Sequence, residues 1–255
     1  AERIQIELIR ILTESKKPGQ AIELMQRTGL LAVLLPEIVA LQGVDQPPEY
    51  HPEGDVYRHT VIMLDHLDHP TPELALSVLL HDIGKPATQR RVRQPDGRER
   101  IRFDGHADVG ARMAEEVLLR LRCSRALTEH VTTCVRQHMR FLEVRKMRTA
   151  TLRRMVMAPT FETELALHRV DCLGGNGNLD NYAFVRAFAE SLKNEPRKPT
   201  PHLRGEDILA SGVPAGPEVR RLLETAYDLQ LEGRITSPEE ARRWLKRHLA
   251  EDTKG

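Results

Sequence analysis

The stretch LSVLLHDIGKP, residues 76–86, is apolar enough for a protein core and then ends in His81, Asp82, Gly84 and Lys85. These groups either decorate a surface or are turned inward for chemistry. Their company in the sequence favours the second. Polar residues recur as His59, the adjacent His81 and Asp82, His106, His138 and Asp171, with separations of 22, 24, 32 and 33 residues. Each gap is about one helix-turn-helix, and a helical bundle can return such residues to a common centre. Adjacent residues do not share a helix face, so His81 and Asp82 reach one centre only from a helix terminus. Imidazole with carboxylate suits Mn, Fe, Co, Ni or Zn, whereas oxygen-only sites suit Mg or Ca. We therefore expect one or two divalent transition-metal ions.

Composition supports a helical chain. Of 255 residues 40% are hydrophobic and 29% charged, as in an ordinary globular protein, while aromatics are only 4%. Leu, Ala, Glu and Arg dominate, a mix that favours helix over β-sandwich. The periodicity predicts helices within 2–42, then over 56–68, 72–82, 106–121, 125–140, 149–157, 161–174 and 178–194, and finally over 205–211, 216–232 and 238–250. The exception is TQRRVRQPDGRERIRF, residues 88–103, which reads as a basic β-hairpin around Pro95-Asp96-Gly97. Ser237, Pro238 and Glu240 mark the start of the last helix. The opening AERIQIELIR is charged and periodic, unlike a signal peptide, and no apolar run is long enough to span a membrane. Cys123, Cys134 and Cys172 form no CxxC pair, so we expect free thiols and a cytoplasmic protein.

The net charge of +1 hides an asymmetry: residues 85–154 carry 18 Lys and Arg against 8 Asp and Glu. A basic centre on a neutral chain points to an anionic substrate or partner. Lys85, one turn beyond Asp82, is the expected cation for charge on a transferring phosphate. Arg112 and Arg140 are further candidates to bind it, and the hairpin residues Arg90, Arg91, Arg93, Arg100 and Arg102 suit a nucleic-acid backbone. His51, His66, His69, His130, His168, His202 and His248 lack comparable company, and we expect them to be structural or exposed.

The pattern His59, His81-Asp82 and Asp171 resembles the HD superfamily of metal-dependent phosphohydrolases, with His106 and His138 similar to the extra ligands of its two-metal members. HPEGDVYRHT, LLHDIGKP, RFDGHADVGARMAEE, QHMRF, KMRTATLRRM, HRVDCLGG and QLEGRITSPEEA together resemble the C-terminal portion of bacterial tRNA nucleotidyltransferase/poly(A) polymerase family proteins. The resemblance implies an all-α HD-domain bundle with a helical neck over 1–45, the HD domain over 46–195, and a linker and small helical tail over 196–255. It implies His59, His81, Asp82 and Asp171 on one ion, with Asp82 bridging to a second held by His106 and His138. Asp82 and Lys85 would be catalytic, with Lys85, Arg112 and Arg140 on the substrate. The implied activity is hydrolysis of 2′,3′-cyclic phosphates and terminal phosphates on nucleotides or RNA 3′ ends, with tRNA a natural partner. Members that add nucleotides also carry a head domain with a DxD pair. No DxD occurs here, so nucleotide addition is not expected of these 255 residues, whether they are a piece of a longer enzyme or a standalone relative. Two alternatives remain: a non-catalytic tRNA-binding portion of such an enzyme, and an HD-type di-iron oxygenase, which Lys85 and the arginines fit less well.

Overall fold

A computed structural model describes residues 2–47, 52–94, 97, 99–196 and 198–252. His51, Pro95 and Asp96 of the expected hairpin turn, Arg98, and Arg197 of the linker lie outside the described residues. Among the described residues the chain's regular structure is helical apart from one two-stranded sheet. In order the elements are α1 (Glu2–Glu14), α2 (Pro18–Arg27), α3 (Leu30–Leu34), α4 (Pro36–Val39), α5 (Val56–Asp65), α6 (Pro72–Leu80), α7 (Lys85–Thr88), β1 (Arg90–Arg93) and β2 (Glu99–Arg102). Then follow α8 (His106–Arg120), α9 (Arg125–Gln137), a 3₁₀ stretch (His138–Lys146), α10 (Thr149–Met157), α11 (Phe161–Gly174), α12 (Asp180–Ser191), α13 (Gly205–Ala210), α14 (Pro217–Leu231) and α15 (Pro238–Asp252). The all-α expectation holds, and the hairpin lies where the alternating arginines place it.

Two compact units form, Ala1–Leu142 with Pro159–Ala183, and Glu143–Ala158 with Phe184–Gly255. In the first, α6 is the central helix and packs against α1, α5, α9 and α11. Its side chains from Ala75 to Leu80 are all buried and, Ser77 apart, apolar, as suits a helix enclosed by others. Thr71 caps it by accepting from the Leu74 amide at 3.3 Å, and Pro72 occupies its first turn. Asp55 caps α5 in the same way, accepting from Arg58 N–H at 2.8 Å, while its other oxygen accepts from Gly43 N–H at 2.7 Å. These caps fix where α5 and α6 begin, and hence where His59 and His81 lie.

In the second unit α14 packs against α10, α13 and α15. Leu203, Ile208, Leu222, Ala226, Ile235, Ala241 and Leu245 form its core. Arg148 and Arg154 both pair with Asp228. Ser237 accepts from the Glu240 amide at 3.2 Å, and the Glu240 carboxylate reaches back to Thr236 N–H at 2.7 Å. The return bond thus falls one residue earlier than in the usual capping box.

Candidate metal centre

Helix ends supply the polar groups. His81 and His138 sit at the C-termini of α6 and α9, and His106 opens α8. Each ring spends Nδ1–H on the carbonyl three residues earlier: His81 on Val78 at 2.8 Å, His106 on Phe103 at 2.7 Å and His138 on Val135 at 2.6 Å. A carbonyl can only accept, so Nδ1 carries the proton. All three Nε2 atoms face the same interior, and where the ring is neutral, as at His106 and His138, Nε2 is a lone pair.

Two trios result, His59, His81 and Asp171, and Asp82, His106 and His138, each with its ligand atoms within 4.8 Å of one another. Asp82 faces both. Its Oδ2 lies 3.0 Å from His81 Nε2, and its Oδ1 lies 3.5 Å from His106 Nε2 and 3.8 Å from His138 Nε2. His106 and His138 point Nε2 at each other across 3.1 Å. Burial pushes the His138 pKa down to about 4 and also lowers that of His106, so both rings are neutral near pH 7. Two lone pairs and a carboxylate oxygen therefore meet with no proton among them. Burial opposes the charge on Asp82, but His81 and Lys85 hold its carboxyl well below the usual range, and it stays ionised. Such a knot of acceptors is unfavourable in a dry site unless a cation occupies it.

On the His59 side a protonated ring takes the place between carboxylates that an ion would fill. His59 Nε2 lies 3.0 Å from Asp171 Oδ1, and Nδ1 lies 2.5 Å from Glu53 Oε1. Burial opposes its charge, but the hydrogen bonds to Asp171 and Glu53 and the Asp171 and Asp82 charges lift its pKa to about 9. His59 in turn holds the Asp171 carboxyl below its usual range despite burial. The donor set thus fits a divalent transition metal. Glu53 orients the His59 ring from behind, the usual outer-shell carboxylate of a histidine ligand. Glu53→Ala is expected to weaken metal affinity by about 10–100-fold, read by competition against a chromophoric chelator; parental affinity would remove Glu53 from the site.

A cavity of about 570 Å³ adjoins the centre, lined in part by Gln46, Lys85, Phe103, Met139 and His168. Lys85 is only 7% exposed; its Nζ lies 2.6 Å from Asp82 Oδ2 and 2.6 Å from Gln46 Oε1, over the Phe103 ring at 5.4 Å. His168 is buried and stacks on Phe141 at 4.6 Å. Arg112 is exposed on α8, and Arg140 pairs with the buried Glu164, which also accepts from Thr160 Oγ1 at 2.5 Å. Neither arginine lines the cavity among the described residues. Glu53 and Gln46 escape sequence reasoning because both lie in a Pro- and Gly-bearing loop, which has no period from which a side chain's direction can be read.

The family described as "HD domain" matches residues 55–164, and the one described as "Probable RNA and SrmB- binding site of polymerase A" matches residues 1–41. A CC-adding tRNA nucleotidyltransferase of Thermus thermophilus is 37% identical over 251 residues, covering 96% of this chain and 56% of the relative. An A-adding tRNA nucleotidyltransferase of Deinococcus radiodurans is 31% identical over 265 residues, covering 100% of this chain and 59% of the relative. A multifunctional CCA protein of Halorhodospira halophila is 39% identical over 149 residues, covering 56% of this chain and 34% of the relative. The chain thus spans a little over half the length of the first two. No helix of the described residues is long and apolar enough to cross a membrane. With an HD domain behind a poly(A) polymerase-type RNA-binding region, and relatives that match it nearly end to end, the chain belongs to the tRNA nucleotidyltransferase/poly(A) polymerase family, of which it carries the RNA-binding region and the HD domain.

Proposed function

We infer that the chain is a metal-dependent phosphohydrolase acting on nucleotides or RNA 3′ ends, opening 2′,3′-cyclic phosphates and removing terminal phosphates. The observation that carries this reading is the acceptor-only centre, in which His106 and His138 present lone pairs to each other across 3.1 Å beside an ionised Asp82. His59, His81 and Asp171 would hold one ion, His106 and His138 a second, and Asp82 both. An ion of the Mn, Fe, Co, Ni or Zn class supplies, when bound, polarisation of a phosphoryl oxygen and a water acidic enough to attack near neutral pH.

The chain's own groups do the rest. Lys85 lies beside Asp82 with its stem buried, and so places a fixed positive charge at the cavity without reorganisation. Gln46 and Asp82 hold its ammonium in that position. In ring opening, water adds to phosphorus, one phosphorus–oxygen ester bond breaks, and the departing ribose oxygen takes up a proton. A second reading is favoured by the RNA-binding match over 1–41 and by the nucleotidyltransferase relatives: the chain would position tRNA for nucleotide addition, with a structural metal.

Hydrolysis of 2′,3′-cyclic AMP, before and after chelation and after re-addition of single metals, separates the two. The expected result is turnover that vanishes on chelation and returns with a transition metal. Absence of turnover with every metal, in protein that still binds tRNA, would sink the hydrolase reading and leave the second.

A further inference from the structure

The hairpin is built in a way that the fold itself does not need. Strands β1 and β2 are antiparallel, with Arg90 opposite Arg102, Arg91 opposite Ile101, Val92 opposite Arg100 and Arg93 opposite Glu99. Directly opposed residues share a face, so Arg90, Arg100 and Arg102 lie together around Val92. The other face is partly neutralised, since Arg91 lies 3.3 Å from Asp45 and 3.7 Å from Glu99. On the three-arginine face the ion pair among the described residues is Arg90 with Asp104, at 3.2 Å and largely exposed. Exposed pairs of this kind hold weakly and yield to competitors.

Like charges directly opposite each other destabilise a strand pair, and Arg90 and Arg102 are such a pair. An isolated two-stranded hairpin is marginal to begin with. A polyanion laid along this face removes the repulsion and uses the planar guanidinium fork that matches phosphate. The face also leads somewhere. Arg100 and Arg102 line the cavity beside Lys85, and Met139 and Leu142, 40% and 59% exposed, line it too. Charge with exposed apolar surface suits a nucleotide, which carries phosphate and base, better than it suits an acidic peptide.

We propose that Arg90, Arg100 and Arg102 form a phosphate-binding track for a single RNA strand and lead the end of that strand into the cavity. The delivery of an end rests on the hydrolase reading; the track does not. Arg100 and Arg102 are about 6.7 Å apart along β2, and Arg90 lies across the ladder from Arg102 on the other strand, so the long side chains can reach separate phosphates. With few aromatics to stack bases, affinity depends on charge, and counterion release makes it salt-dependent.

The test is fluorescence anisotropy with a short labelled single-stranded RNA ending in a 3′-hydroxyl, titrated across salt concentrations. The full chain is compared with the triple variant Arg90→Ser, Arg100→Ser, Arg102→Ser and with a charge-matched control, Arg125→Ser, Arg220→Ser, Arg243→Ser. The hairpin variant is expected to bind about tenfold more weakly, with the slope of log Kd against log salt reduced by about 2, at 0.7 per lost contact on a single strand. Replacing the same three arginines by Lys should keep the parental slope, which shows that charge rather than a damaged hairpin is read. Parental affinity and slope in the serine variant would overturn the track, as would an equal loss in the control. Displacement of the RNA by poly-glutamate as efficiently as by unlabelled RNA would assign the face to acidic proteins and overturn it too. The strand used carries no terminal or cyclic phosphate, so binding is read apart from the proposed reaction. Loss of binding in the variant, with no hydrolysis of 2′,3′-cyclic AMP by the parent, therefore keeps the track and removes the hydrolase. Hydrolysis of 2′,3′-cyclic AMP by the parent, with unchanged binding in the variant, does the reverse.

Discussion

Asp82→Asn is expected to strip the proposed hydrolase of its metal and of phosphate-ester hydrolysis while leaving it folded. Asp82 is 2% exposed and, among the described residues, is the carboxylate that faces both trios, through Oδ2 toward His81 and Oδ1 toward His106 and His138. Asparagine keeps its volume. Its oxygen can still accept from Lys85, which now lies 2.6 Å from Asp82 Oδ2. Its amide hydrogens can turn toward the His106 and His138 lone pairs, so a donor takes the place where acceptors alone had met. The metal-free variant should therefore melt no lower than the metal-free parent. It should not bind metal tightly, because an amide is a far poorer ligand than a carboxylate and the remaining charge near the ions falls by one. Losing several kcal/mol of metal assistance corresponds to a fall in turnover of about 10³-fold or more. Metal content by elemental analysis, melting temperature with and without added metal, and turnover of a cyclic nucleotide check the three parts. Stoichiometric metal with parental turnover in the variant would remove Asp82, and the bridging geometry with it, from the chemistry.

Helix ends explain why so much of this centre is readable in the sequence. The apolar run of α6 stops at Leu80, so His81 and Asp82 must lie where a buried helix ends, and the similar gaps to His59, His106, His138 and Asp171 place those residues at corresponding heights in a bundle. A periodic pattern tells which residues face inward and where they stop doing so. It says nothing of a side chain's reach. Arg140 is two residues beyond His138, yet its guanidinium turns to Glu164, which only the packing of α11 brings near. Arg112 follows His106 on the same helix but points to solvent. Linear order also conceals that α10, read as part of the central domain, packs with α14 in the second unit. The hairpin's place was readable because alternation has a period of two, though its register comes only from the structure, whereas the loop that carries Gln46 and Glu53 has no period. The expected helix over 125–140 instead tightens to 3₁₀ geometry at His138; this follows from no propensity in the segment.

Gly84→Ala is expected to be among the most damaging small substitutions outside the ligands, for a reason invisible in the motif. Gly84 has φ of −81°, an ordinary value for any residue, so it is not kept for backbone freedom. At an exposed site alanine would be neutral or mildly stabilising. Here a methyl group would sit 2.2 Å from the His106 carbonyl oxygen, 2.6 Å from Gly110 N and 3.0 Å from Gly110 Cα. All three are backbone atoms and cannot rotate aside, so α8 must move bodily away from α7. Gly110 faces the same contact from the other side, 3.2 Å from Gly84 N. Overpacking against rigid backbone costs about 3 kcal/mol or more. That corresponds to a fall of about 6–12 °C in melting temperature for a chain of this size. The shift should carry the His106 ring with it and loosen metal binding beyond what lost stability alone explains. Gly174→Ala is the comparison. Its methyl would lie 2.7 Å from Met63 Cγ, the nearest atom, with His59 ring atoms at 3.5 Å. Met63 is fully buried, but its side chain can rotate where a backbone cannot, so that variant should lose about 1–2 kcal/mol, less than Gly84→Ala, and keep its metal. If the two variants melt together, close approach of α7 and α8 does not set the position of His106, and the glycine between His81-Asp82 and Lys85 has another purpose.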